Sequence, residues 1–431
     1  VRHVVKPAAV SARILSANVH PVFTKGAFMS HADSPAPDHG RIVHAIQWSE
    51  ALPWWILLRA AGAAFAPTVI FLALLGALAT WAGWSIADSL RLAGSDPATD
   101  AILDAGLSAP AGPVFPGAGA GVPSGGLLAS PSRRVFPAVE WIVDRLPGAA
   151  ADILRLAAVP FRPTATMQQL GGAIARLGWF ILVWSIFGTA ISRHVALKLI
   201  GDEPPGIVGA VLYGARKWIA AFNSAAFVLL GILALAIPGA LLGLLMRTEW
   251  GLAFAGAVWP LVLAGAVVLA ILAIGLAAGW PLMVSAVGVE RGDSFQAIST
   301  AFSYIYQRPL HYVFYALVAL AVAIPAMAAA GIFADATNTL ALWAASFGMG
   351  HDRTVAVLEG VQSAATASPT AAELPWGIRA LGFWTRGLES LLGSFGWGYF
   401  WSIATAAYML LRQDVDGTEL DEVVIEEPAG E

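Results

Sequence analysis

WIAAFNSAAFVLLGILALAIPGALLGLLM, residues Trp218 to Met246, carries no charged side chain, and beyond Arg247-Thr248-Glu249 a second charge-free run extends from Gly251 to Val289. A helix rises about 1.5 Å per residue and the hydrocarbon layer is about 30 Å thick, so roughly 20 apolar residues cross it. Two such runs joined by a short polar turn specify a transmembrane helical hairpin. The second run is longer than one span needs. Pro260 is therefore read as the point where an interfacial entry becomes the membrane helix proper, over Leu261 to Val284.

On either side of this hairpin, four further segments read as spans. Ala60 to Trp84 follows Arg59, with Trp54 and Trp55 before it and Trp81 and Trp84 near its end, as an aromatic belt predicts. Leu170 to Ile191 contains Arg176, whose alkyl stem would let it snorkel outward. His311 to Phe333 and Leu391 to Leu411 complete the set. The expected fold is all-α, a polytopic bundle of about six spans with amphipathic interfacial helices and a Gly/Pro-rich external loop. Composition agrees, since 58% hydrophobic and 12% charged residues leave too little polar material to coat a water-soluble globule.

Positive charge in short loops sets orientation. The loop from Ser192 to Lys217 carries Arg193, Lys198, Arg216 and Lys217, and placing it inside puts all four lysines of the chain, with Lys6 and Lys25, on the cytoplasmic side. Both termini are then cytoplasmic, in a bacterial inner membrane. Residues 1–53 form a polar arm without the apolar core of a cleavable signal peptide. Met29-Ser30-His31 is a candidate start of the mature protein. Residues 54–87 hold the first span, 88–169 an external loop, 170–411 a five-helix membrane region, and 412–431 an acidic tail.

Within the external loop, Ala93 to Pro131 is a Gly, Pro, Ala and Ser linker. Val135 to Leu146 places Val135, Val139, Ile142, Val143 and Leu146 near one helical face, opposed by Glu140, Asp144 and Arg145, as a helix on the membrane surface would. A second external region, Ala334 to Glu389, includes the uncharged stretch Ala336 to His351, too short to cross and expected to dip into the interface. On the cytoplasmic side, helices over 202–217 and 292–308 share a plan: an acidic opening, an amphipathic helix and a basic close. The first carries Ile207, Val211 and Leu212. The second is capped by Asp293, with Gln296 at the capping-box position, and shows Phe295, Ile298, Phe302 and Ile305 on one face until Arg308-Pro309. The shared plan resembles a weak internal duplication in parallel, without the inverted symmetry common in secondary transporters.

Few residues carry chemistry. Ionisable groups in hydrocarbon are the usual functional pointers, and no Asp or Glu lies within the expected spans. Arg176 either faces a pore or anionic ligand or snorkels, and Asn223 either meets a substrate or bonds a neighbouring helix. Phe295, Phe302 and Arg308 either dock a cytoplasmic protein partner or rest on lipid and the bundle. Gly239/Gly243 and Gly275/Gly279 have the small-xxx-small spacing of helix packing. Zero cysteine removes disulfides, thiolate metal sites and cysteine nucleophiles. The histidines lack paired metal spacing, with His31, Asp33, Asp38, His39 and His44 only loosely clustered. Gly117 to Gly121 lacks the Gly-Lys-Ser/Thr of a phosphate loop. Asp414-Val415-Asp416-Gly417 suggests a calcium loop, but the register puts Arg412 and Val423 at ligand positions. No catalytic, cofactor or metal residue is assigned, and a net charge of -4 gives no field for nucleic acid.

The stretches Gly279-Trp280-Pro281-Leu282, Asp293-Ser294-Phe295-Gln296-Ala297-Ile298 and Tyr306-Gln307-Arg308-Pro309, with Asp416 to Glu422, resemble uncharacterised bacterial multi-pass membrane proteins. The resemblance implies a membrane helical bundle and no activity. The expected role is a non-enzymatic scaffold, assembly or regulatory component whose environment is the lipid bilayer. The alternative is a transporter or permease subunit for a small solute.

Overall fold

The computed structural model describes residues 52–90, 153, 156–157, 159–161, 166–365, 374–420 and 423. The arm over 1–47, the linker over 93–131, the surface helix over 135–146 and most of the segment after 420 lie outside them. The described elements are helical: α1 (Trp55–Ala64), α2 (Pro67–Ser89), a 3₁₀ turn (Val159–Phe161), α3 (Met167–Ile200), α4 (Ile207–Leu245) and α5 (Glu249–Glu290). They continue with α6 (Ser294–Gln307), α7 (Pro309–Met349), α8 (His351–Ala365), α9 (Trp376–Gly393) and α10 (Phe395–Asp416). Five of these, α2, α3, α4, α5 and α7, are long and apolar enough to cross a membrane. The chain is a membrane-embedded, all-α bundle.

The hairpin forms as its sequence predicts. Thr248 caps α5, its hydroxyl accepting from the Gly251 N–H at 3.1 Å. A Cβ on Gly251 would sit 1.8 Å from the Leu245 carbonyl oxygen, so glycine permits the tight reversal. Both arms differ from the expected length. α5 runs unbroken for 42 residues through Pro260 and Pro281, and Pro260 does not end it. A proline kept inside a membrane helix loses one backbone bond that neighbouring groups re-satisfy. At 1.5 Å per residue α4, α5 and α7 reach about 60 Å, twice the hydrocarbon thickness.

Other boundaries move for identifiable reasons. The first expected span divides at Phe65-Ala66, because Pro67 cannot continue α1 and instead opens α2. Trp84 belongs to no interfacial belt; it is 1% exposed, and its indole N–H donates to the Arg176 carbonyl at 3.2 Å. α3 extends past Ile191 to Gly201, whose φ of 82° closes it, so Arg193 is a buried helical residue and not a loop charge. The expected helix over 202–217 is not separate: Asp202 to Gly206 is a loop, and α4 passes Arg216-Lys217 without a break. Its buried residues there are Ala210 and Gly214, while Ile207, Val208 and Leu212 are exposed. The internal duplication therefore has no structural counterpart. Ala336 to Met349 continues α7 in line until Gly350.

The core is gathered around α10, which packs against α1, α2, α3, α5, α6 and α7. The sixth expected span, Leu391 to Leu411, is divided at Ser394 between α9 and α10, and α10 is not among the five helices apolar enough to cross, as its enclosure by protein allows. A helix surrounded by protein meets its neighbours through close packing, and small or hydroxylated residues serve there better than aliphatic bulk. Ser402 and Thr405 are fully buried and return their hydroxyls to the carbonyls of Gly398 and Trp401. Trp401 stacks on Trp184 at 5.8 Å and meets Trp280 edge-on at 5.4 Å, and Trp184 stacks on Trp397 at 4.7 Å. These rings fill the middle of the bundle. By contrast, Leu230, Leu241, Leu261, Leu317 and Ile324 are each more than half exposed, the surface that lipid solvates.

Candidate functional site

Polar chemistry concentrates where the α3–α4 and α5–α6 connections meet the end of α10. Asp293 caps α6 by accepting from the Gln296 N–H at 2.8 Å. The Gln296 side chain does not complete the capping box; its amide donates instead to Glu290 at 2.9 Å. Glu290 also takes the Tyr408 hydroxyl and pairs with Arg412 at 3.1 Å. Tyr304 of α6 donates to Asp416, and Tyr315 of α7 donates to Asp414 at 2.7 Å. The Tyr304 hydroxyl is held well above the ordinary tyrosine value, first by burial and then by its bond to Asp416. It is a neutral donor at neutral pH, suited to fastening helices and not to proton abstraction.

Beside this network lies a cavity of about 410 Å³ between α4 and the α5–α6 connection, lined by Arg216, Lys217, Asn223, Arg291, Asp293 and Ser294 among others. Lys217 Nζ donates to the Arg291 carbonyl at 2.7 Å. Arg291 ends α5 at φ 61°, a conformation that costs a side-chain-bearing residue about 1 kcal/mol. Tyr213 anchors the region, its hydroxyl donating to the Val287 carbonyl at 2.9 Å with the Arg193 and Arg291 guanidiniums 5.4 and 6.0 Å from its ring centre.

The five residues singled out from sequence separate. Asn223 lines the cavity, and Phe295 stands next to it, 68% exposed and stacked on Phe227 at 5.0 Å. Phe302 is half-buried over Gly275, where a Cβ would come within 2.5 Å of its ring. Arg308 joins α6 to α7 and is exposed. Arg176 is elsewhere, in the first half of α3 and 3% exposed against α2, so it does not snorkel into lipid. The outward face of α6 also differs from the expected one: Ser294, Ala297, Ala301, Tyr304 and Ile305 are buried, with Ile298 and Phe302 at the margin. Gly275 and Gly279 seat α6, whereas Gly239 and Gly243 meet nothing within 4 Å.

Sequence reasoning missed Arg291 and the tyrosine–carboxylate pairs. Asp414 and Asp416 read as members of a solvated tail, although Gly417 placed just after them is a helix-stop signal that would have kept them on α10. Among the described residues no group of three or more His, Asp or Glu is arranged to hold a metal ion. No family model, curated protein or solved structure matches the chain.

Proposed function

We propose that this chain is a non-enzymatic scaffold or assembly component of a bacterial cytoplasmic membrane, with both termini in the cytoplasm and α6 presented to a protein partner there. The observation that carries the reading is the rigid seating of α6. Tyr304 ties it to α10, Gln296 ties it to α5, and Tyr306 donates to the Ile271 carbonyl at 2.5 Å. A helix tied at three points, twice to α5 and once to α10, presents the exposed Phe295, Ser299 and Arg308 in a fixed arrangement, and pre-organised surfaces bind at lower entropic cost.

Two further features support it. Arg59, Lys217, Arg291 and Arg412 all make contacts at this one end of the bundle, which suits the cytoplasmic side under the positive-inside rule. The stacked tryptophans fill the bundle centre where a solute path would run, which favours a scaffold over a permease subunit. The test is site-specific photo-crosslinking in cells from positions 295 and 299, with the lipid-facing position 320 as control. A discrete protein adduct at 295 and 299 and absent at 320 is expected. Substrate-dependent flux through the purified chain in sealed proteoliposomes would overturn the proposal.

A further inference from the structure

We infer that the basic cavity between α4 and the α5–α6 connection holds the phosphate of an anionic lipid headgroup, whose acyl chains lie along α4. Three cations, Arg216, Lys217 and Arg291, line it against one carboxylate, Asp293, and that carboxylate is directed to the Gln296 N–H of its own helix. Guanidinium forks match phosphate oxygens in pairs, and an ammonium adds a point charge. The positive end of the α6 dipole, at the buried Ser294, has the same sign. The cavity is open to the outside and has room for a phosphoglycerol-sized group. Arg291 is pre-positioned by its backbone at φ 61° and by the Lys217 bond to its carbonyl.

A second observation selects a lipid over a free phosphate compound. From Asn223, inside the cavity, the same stripe of α4 continues through Phe227, Leu230, Ile237 and Leu241, spaced by three, four or seven residues. Leu230, Ile237 and Leu241 are 59%, 57% and 61% exposed. A soluble anion has no use for that surface, whereas a molecule with a phosphate at one end and two hydrocarbon chains at the other covers both parts. Basic pockets between membrane helices on the face of the bilayer are suited to such headgroups. The inference stands independently of the scaffold reading.

The test uses the intact chain in a neutral detergent and measures binding of dioctanoyl-phosphatidylglycerol, dioctanoyl-phosphatidylcholine and inorganic phosphate by native mass spectrometry and thermophoresis. Phosphatidylglycerol is expected to bind most tightly. Arg216→Gln and Arg291→Gly should each weaken it about fivefold, the factor corresponding to one basic residue at a membrane surface. Glycine adopts φ 61° without strain and retains the carbonyl that Lys217 uses, so Arg291→Gly removes the charge and its contact with the Tyr213 ring but keeps the backbone, and an unchanged unfolding temperature shows that the fold is intact. Leu230→Ser should weaken the lipid also, and Arg247→Gln should not. Equal binding of the two lipids, or insensitivity to both arginine variants, would overturn the inference. So would inorganic phosphate binding as tightly as the lipid with Leu230→Ser silent, which makes this a free-anion site. Phosphatidylglycerol binding only after deletion of residues 421–431 would assign the cavity to the chain's own acidic segment and overturn it as well.

Discussion

The hydroxyl of Tyr304 donates to the carboxylate of Asp416, joining α6 to the last turn of α10 across 112 residues of sequence. A hydrogen bond to a charged acceptor contributes about 1.5–3 kcal/mol. Tyr304→Phe and Asp416→Asn should each lower unfolding stability in detergent by about that amount, and the double variant should cost little more than either alone. Additive losses in a double-mutant cycle would show that the two groups act separately.

The same pair predicts the alkaline behaviour. Burial and Asp416 raise the Tyr304 hydroxyl above its unfolded value near 10, so the fold favours its protonated form. That contribution is fully present below about pH 10 and is lost as pH rises beyond the unfolded value toward the folded one. Stability measured from about pH 8 to about pH 11.5 should hold and then fall, and Tyr304→Phe should flatten the fall. An unchanged slope in the variant would contradict the assignment.

Glycines of identical spacing should respond differently. A Cβ at Gly275 would approach the Phe302 ring to 2.5 Å, while one at Gly239 meets nothing within 4 Å. Gly275→Leu should destabilise by about 1–3 kcal/mol through overpacking, and Gly239→Leu should stay within about 0.5 kcal/mol. Thermal unfolding of the two purified variants side by side decides it.

Trp401 is fully buried in the aromatic centre. Trp401→Ala should cost about 3–5 kcal/mol by leaving a cavity. Its indole N–H has no acceptor among the described residues, so Trp401→Phe should cost less than half as much, a comparison that calorimetry can make.

The hairpin, the α6 cap and the all-helical class were legible because charge-free length and capping chemistry are local signals. Asp293 caps α6 where its neighbours in sequence say it should, whereas Gly417, taken with its aspartates as a loop, in fact ends α10. The reach of α5 and α7 was not legible, since Pro260 and Ala336 to Met349 carry no feature that separates a helix in lipid from one that goes beyond it. The site was less legible still. Arg216 and Arg291 are far apart in sequence, and only the packing of α4 on α5 brings them to one cavity. Asn223 and Phe295 were found because a polar group in an apolar run and an aromatic on a capped helix are conspicuous alone.

Hydrocarbon solvates the outward faces of α4, α5 and α7, and the membrane fold rests on that contact. The chain has no cysteine, so single-cysteine variants report one position each. Spin labels at Leu230, Ile271 and Leu320 in reconstituted bilayers should be relaxed strongly by oxygen and weakly by a water-soluble nickel chelate, with the opposite ranking at Gln307. Strong relaxation by the chelate at the three helix positions would contradict a lipid-facing surface there.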